Sequence, residues 1–282
     1  MRVFNVLASF AIGEKEVDKY LRPDWRVLLD SGAYTNFQKG KDVVTLDAYI
    51  GHLKDRGSVY WRYFALDRIA DAAGSSRNLD RMLRAGLSPV PVFQRGAKLA
   101  DMAEMKKVSD LIAVGGIAGR LRANADRSYL HQVVRAAGGH PLHLLGCGSQ
   151  TILRRYRPYS SDSSSHATRQ GQVWFWFGRR FHELKRDRAG VVRLNGKPVS
   201  KQRVLFARVC EIYGVDPVWT RERRFYGGEF SKVVNLRSYI RFQVEMRRVG
   251  VEYFVALNDS DRKNAVTAWE MEKGHADLHA TA

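Results

Sequence analysis

Two aspartates stand in settings where a carboxylate could do chemistry. Asp30 ends the apolar run Leu28-Leu29 and opens Asp30-Ser31-Gly32-Ala33-Tyr34. Asp162 stands in the serine-rich Ser160-Ser161-Asp162-Ser163-Ser164-Ser165, after the basic and aromatic run Arg154-Arg155-Tyr156-Arg157-Pro158-Tyr159. Two carboxylates at strand ends can share a displacement at a sugar anomeric carbon, one as nucleophile and one as general acid and base. Either could equally cap a helix or a turn, the common duty of an aspartate among serine and glycine. Arginines interleaved with aromatic rings, as in Arg154 to Tyr159 and in Arg221 to Tyr226, can clamp phosphates while stacking an unpaired base, or can form a solvated basic face.

Residues of this kind need a scaffold that brings distant segments together. Short apolar runs recur at Val27–Leu29, Tyr63–Leu66, Val90–Phe93, Leu111–Val114 and Leu142–Leu145. None alternates cleanly with polar residues, which predicts parallel strands buried on both faces. Helix-like stretches lie between them at Leu46–Arg56, Arg77–Ala85, Ala97–Val108 and Asp126–Ala137. The runs end in Asp30-Ser31-Gly32, Asp67-Arg68, Gln94-Arg95-Gly96, Gly115-Gly116 and Gly146-Cys147-Gly148. Polar or glycine residues at every strand end favour an α/β fold of the irregular TIM-type (β/α)8 barrel over a doubly wound sheet. Residues 1–171 are expected to form the main part of the barrel with the catalytic motifs. Residues 172–282 would complete it and add a basic, mainly helical extension, with Val173–Phe177 as a core strand or an aromatic packing segment and frayed residues after about Gly274.

The 282 residues carry 47 Lys and Arg against 29 Asp and Glu, a formal charge of +18, and 45% are hydrophobic. That excludes a disordered tail, a small stapled domain and an ordinary neutral metabolic enzyme, and it points to a polyanionic partner, nucleic acid before an acidic membrane surface. Cys147 and Cys210 are too few for a disulfide framework or a multi-thiolate zinc site, which fits a reducing cytoplasm. No apolar run is long enough to span a membrane. His140, His143, Cys147, Met102 and Met105 read as packing residues.

The order of these motifs resembles the tRNA-guanine transglycosylase family: Asp30-Ser31-Gly32-Ala33-Tyr34, Asp67, Gln94 with Gly96, Gly115-Gly116-Ile117-Ala118, Leu145-Gly146-Cys147-Gly148, and Asp162 followed by Thr168-Arg169-Gln170-Gly171. Each motif is weak alone, and the ordered set over residues 25–171 is specific. The resemblance implies an irregular TIM barrel that exchanges guanine in a nucleic acid for a 7-deazaguanine base without a cofactor. It makes Asp162 the nucleophile and Asp30, with Ser31 beside it, the acid and base. Asp67 and Gln94 would read the base edge with backbone groups at Gly115, Gly116 and Ile117, and Tyr34 and Leu145 would sandwich the purine.

The chain also departs from the family pattern. The three cysteines and histidine of the family's zinc site are missing, so no metal is expected. Arg120 follows the glycine loop where the family has a glutamate, and it would repel a cationic substituent, leaving a neutral nitrile-bearing deazaguanine such as preQ0 as the easier fit. The serines around Asp162 and the short chain look more like the phage-associated, DpdA-like branch that acts on DNA, in the cytoplasm of a bacterium or an infected host. DNA is then the expected partner, tRNA the alternative, and Arg154, Arg155, Arg157, Arg169, Arg223 and Arg224 the expected phosphate contacts. Other readings of the same residues are a phosphate-binding barrel acting on a small metabolite and a non-catalytic nucleic-acid-binding barrel.

Overall fold

The structure is a computed structural model that describes residues 3–118, 124–167 and 172–273. It divides into two compact units, Met1–Ser163 with Met246–Asp259, and Ser164–Glu245 with Ser260–Ala282.

The first unit is built on eight parallel strands: β1 (Phe4–Ser9), β2 (Trp25–Asp30), β3 (Arg62–Tyr63), β4 (Val92–Phe93), β5 (Ile112–Val114), β6 (Leu142–Leu144), β7 (Ser160–Ser163) and, far along the chain, β12 (Glu252–Ala256). Their order in the sheet is β3-β2-β1-β12-β7-β6-β5-β4. Neighbours such as Leu28 and Leu29 point to opposite faces of the sheet and are both buried, the mark of a sheet covered on its two sides. The covering helices are α1 (Glu14–Asp18), α2 (Ala33–Lys39), α3 (Leu46–Arg56), α4 (Ala72–Arg84), α5 (Asp101–Val108), α6 (Asn124–Ala137) and α7 (Gln150–Tyr156). Polar residues start several of them. Thr45 accepts from the Ala48 amide, Asp71 from Gly74 and Ser149 from Ile152.

The expected α/β architecture of parallel strands and helices is present, with one difference from a closed (β/α)8 barrel. The edge strands β3 and β4 are two residues each and do not pair with each other, so the sheet is not a closed barrel. The segments beside them touch at one isolated bridge between Phe64 and Val90, where Val90 N–H donates to Tyr63 O and Ala65 N–H to Val90 O. The serine-rich Ser160–Ser163 is itself a fully buried strand.

The second unit holds a four-stranded antiparallel sheet in the order β11-β10-β9-β8, formed by β8 (Gln172–Phe177), β9 (Arg180–Arg186), β10 (Val192–Leu194) and β11 (Lys197–Pro198). Its helices are α8 (Arg203–Tyr213), most of α9 (Glu229–Arg248) and α10 (Arg262–Lys273). Val173 and Phe175 of β8 pack with Leu184, Leu194, Val209 and Tyr213 in one apolar core. The aromatic run is thus a core strand inside a sheet the composition did not reveal. Among the described residues, no helix is long and apolar enough to cross a membrane.

Candidate active site

In a parallel sheet all strands point the same way, so whatever follows each strand collects at one end. Ser9 and Asp30 end β1 and β2, Asp67 follows β3, Gln94 follows β4, Gly115 follows β5, Leu145 and Gly146 follow β6, and Asp162 lies in β7. Residues separated by more than a hundred positions thereby become neighbours.

Asp162 is almost fully buried. Its Oδ1 accepts from the Gly146 amide at 2.9 Å and faces His143 Nε2 at 3.1 Å. The other ring nitrogen of His143, Nδ1, lies 2.8 Å from Ser160 Oγ. Register explains the meeting, because His143 of β6 sits opposite Ser160 of β7. Ser161, on the other face of the strand, bonds the carbonyls of Leu144 and Cys147, each at 2.8 Å. Every hydroxyl named in this strand has a partner, which is how so polar a segment can be a core strand.

Asp30 accepts from Ser9 Oγ at 2.9 Å and from the Gly32 amide at 3.0 Å, both on Oδ2. Burial raises its carboxyl above the usual carboxylate range. The bonds from Ser9 and Gly32 oppose that shift, the charge of Asp162 adds to it and His143 opposes it. The two aspartates are therefore electrostatically coupled. Beside Asp30, the Ser31 hydroxyl is buried with no hydrogen-bond partner among the described residues.

Asp67 and Gln94 form a second buried pair, with Gln94 Nε2 donating to Asp67 Oδ2. Burial lifts the Asp67 carboxyl to about 7, against the Gln94 bond and with help from the Asp30 charge. Gly115 backs this pair and Gly116 adopts a positive φ of 72° beside Arg95. A cleft of about 580 Å³, within the usual size of a small-molecule site, opens beside Asp67 and is lined in part by Ala33, Phe37, Leu66, Arg68 and Arg81. Neither Asp30 nor Asp162 is on its wall, so of the three carboxylates only Asp67 opens onto it.

The remaining sequence candidates are placed as follows. Ile117 is buried, Leu145 is partly buried against Leu28, Phe64 and their neighbours, and Tyr34 is 61% exposed in the first turn of α2. Arg154, Arg155 and Arg157 lie at the end of α7 and before β7 begins, on the amino-end side of the strand. Asp162 is paired with His143. Arg155 shares an open hollow of about 460 Å³ with Arg127, Ser128, His131 and Tyr156. Arg223 and Arg224 are exposed in the second unit, Arg224 bonded to Glu222. Arg169, Arg120 and the Thr168-Arg169-Gln170-Gly171 segment lie outside the described residues. Among the described residues, no group of three or more His, Cys, Asp or Glu is arranged to hold a metal, and both cysteines are buried thiols.

The residue that sequence reasoning passed over is His143. A lone histidine in Leu142-His143-Leu144 reads as packing, and only the pairing of β6 with β7 gives it Asp162. Serine, histidine and aspartate in this order also have the composition of a hydrolase triad. That chemistry does not fit, because Ser160 is completely buried and offers no approach to an acyl carbon. What the arrangement can supply is a fixed carboxylate at Asp162, a proton-holding carboxylate at Asp30, and a hydrogen-bonding edge at Asp67 and Gln94. Comparison of the chain with protein-family models and with curated proteins finds no match.

Proposed function

We propose that this chain is a transglycosylase that exchanges guanine in a nucleic acid, DNA in the first instance, for a 7-deazaguanine base, on an irregular (β/α)8 barrel. The observation that carries the reading is the pairing of two unlike carboxylates at one end of a parallel sheet: Asp162 held by two donors on one oxygen, and Asp30 with its affinity for a proton raised by burial. The buried Asp67–Gln94 pair beside a cleft of small-molecule size supports it, as does the unpartnered Ser31 hydroxyl.

The chemistry balances without a cofactor. A carboxylate oxygen of Asp162 attacks the anomeric carbon, the bond from that carbon to the guanine nitrogen breaks, and protonated Asp30 gives its proton to the departing base. The sugar is then esterified to Asp162 with the strand uncut. Asp30, now ionised, takes the proton from the incoming base, whose nitrogen attacks the same carbon and releases Asp162. The excess of positive charge over the whole chain favours a polyanionic strand as substrate.

The test is to incubate the protein with labelled guanine and either DNA or tRNA. Label entering DNA is the expected result, and label entering tRNA would move the assignment to that substrate. Asp162→Ala should abolish exchange and any covalent adduct, and full activity in that variant would overturn the mechanism.

A further inference from the structure

We infer that His143 is a positioning residue for Asp162, one that selects the attacking oxygen and stabilises the carboxylate when it leaves the sugar; this rests on the exchange reaction proposed above. The imidazole is completely buried, with the ring of Phe64 at 4.9 Å and that of Phe254 at 6.4 Å, so its orientation is fixed by packing. Its two nitrogens have different neighbours. Asp162 is an acceptor when ionised, so Nε2 carries the hydrogen that faces Oδ1, and in the neutral ring Nδ1 accepts from the Ser160 hydroxyl. Ser160 thus fixes the tautomer, much as an outer partner fixes the ring of a metal-bound histidine.

The consequence falls on the two carboxylate oxygens. Oδ1 receives both donors, His143 Nε2–H and the Gly146 amide, while Oδ2 has no hydrogen-bond partner among the described residues. Oδ2 is therefore the atom left to attack the sugar. In the ester that forms, Oδ1 is the carbonyl oxygen and carries little charge. When the incoming base displaces Asp162, negative charge returns to the carboxylate, and Oδ1 meets two donors already in place. Loss of the His143 donor should slow the second displacement more than the first.

Two substitutions of similar polarity separate this role from simple packing. The amide nitrogen of H143Q can reach the place of Nε2, whereas that of H143N reaches only the place of Nδ1. Turnover and the steady-state fraction of protein–DNA adduct on a denaturing gel are measured for wild type, H143Q, H143N and S160A, each checked for a cooperative thermal transition. H143N is expected to lose roughly tenfold or more in kcat, with KM for the nucleic acid falling alongside it, and to accumulate adduct. H143Q should stay within a few-fold of wild type, and S160A should fall between them. Equal loss in H143Q and H143N, or a slow H143N with no more adduct than wild type, would overturn the inference. A wild-type protein that exchanges no base on DNA or tRNA would remove the exchange reading and this role with it, and that outcome is read on the wild type alone.

Discussion

A Cβ placed on Gly115 would stand 2.6 Å from Gln94 Oε1. No real side chain tolerates that approach, so the backbone of the β5 end and the amide of Gln94 are packed on each other as a unit. The backbone of Gly115 itself is not in the left-handed region, unlike that of Gly116, so an alanine there meets only the steric obstacle. Gly115→Ala is expected to push the Gln94 amide off Asp67, cost about 1–3 kcal/mol of stability, and raise KM for the free base about tenfold. Urea melts and base-exchange kinetics check the two halves, and an unchanged KM would detach the Asp67–Gln94 pair from base recognition.

Asp67 makes stability depend on pH in a direction opposite to that of most carboxylates. Burial holds its folded-state value at about 7, while in an unfolded chain it ionises near 3.9 or so. Between those values the folded protein keeps a proton that the unfolded chain has released, so this group's contribution falls as pH rises from about 4 to about 7 and is flat above. Asp67→Asn keeps an acceptor for Gln94 and removes the titration. The variant should match wild type at about pH 4 and exceed it by a few kcal/mol at about pH 8, measured by denaturant melts. A difference independent of pH would contradict the assignment.

Ser9 sets the proton affinity of Asp30 from the neighbouring strand, where the two residues are in register. Its hydroxyl bond favours the ionised carboxylate and is the largest influence opposing burial. Ser9→Ala removes that influence and moves the Asp30 value further up. Guanine departure requires the protonated form, so the alkaline limb of the rate-against-pH profile should shift to higher pH, while Ser9→Thr should leave it in place. A limb that moves to lower pH in the alanine variant would assign the titration to another group.

These relationships differ in how far the chain itself announces them. The strands that carry Asp30, Asp67, Gln94 and Gly115 are apolar runs that stop at polar or glycine residues, because a two-faced buried strand must be apolar and a site must be polar where it ends. Asp162 and His143 follow other logic. Ser160–Ser163 has no apolar residue and is buried because its hydroxyls and carboxylate bond across to β6, a property of the pairing and not of the segment. β12 comes after the long first segment of the second unit, so nothing local shows that Phe254 pairs with Asp162. The antiparallel sheet of the second unit is hidden for a similar reason. Arg180–Arg186 is rich in charge, and its strand character comes from Phe181 and Leu184 packing on β8 and on the core behind it.

The core of the second unit depends on a buried charge cluster that can be tested without reference to any activity. Glu272 of α10 accepts from Arg237 Nε at 2.8 Å and from Arg241 Nε at 2.7 Å, and all three side chains are buried. Two cations share one anion. The remaining charge is moderated by the Tyr213 ring, which has the two guanidinium carbons at 5.1 and 4.5 Å, and by the Tyr213 carbonyl, which accepts from Arg237. Removing the carboxylate leaves both guanidiniums in the core without a counter-charge. Glu272→Ala is therefore expected to destabilise this unit by roughly 3–5 kcal/mol. Glu272→Gln should lose somewhat less, since its amide oxygen still accepts one of the two bonds. Replacing Arg241 by Met in the Glu272→Gln background removes one of the stranded cations and should recover part of the loss, because the residual cost is charge and not volume. Thermal melts of the three variants read the order directly, and a double variant less stable than Glu272→Gln would show that Arg241 acts through packing on Tyr213 instead.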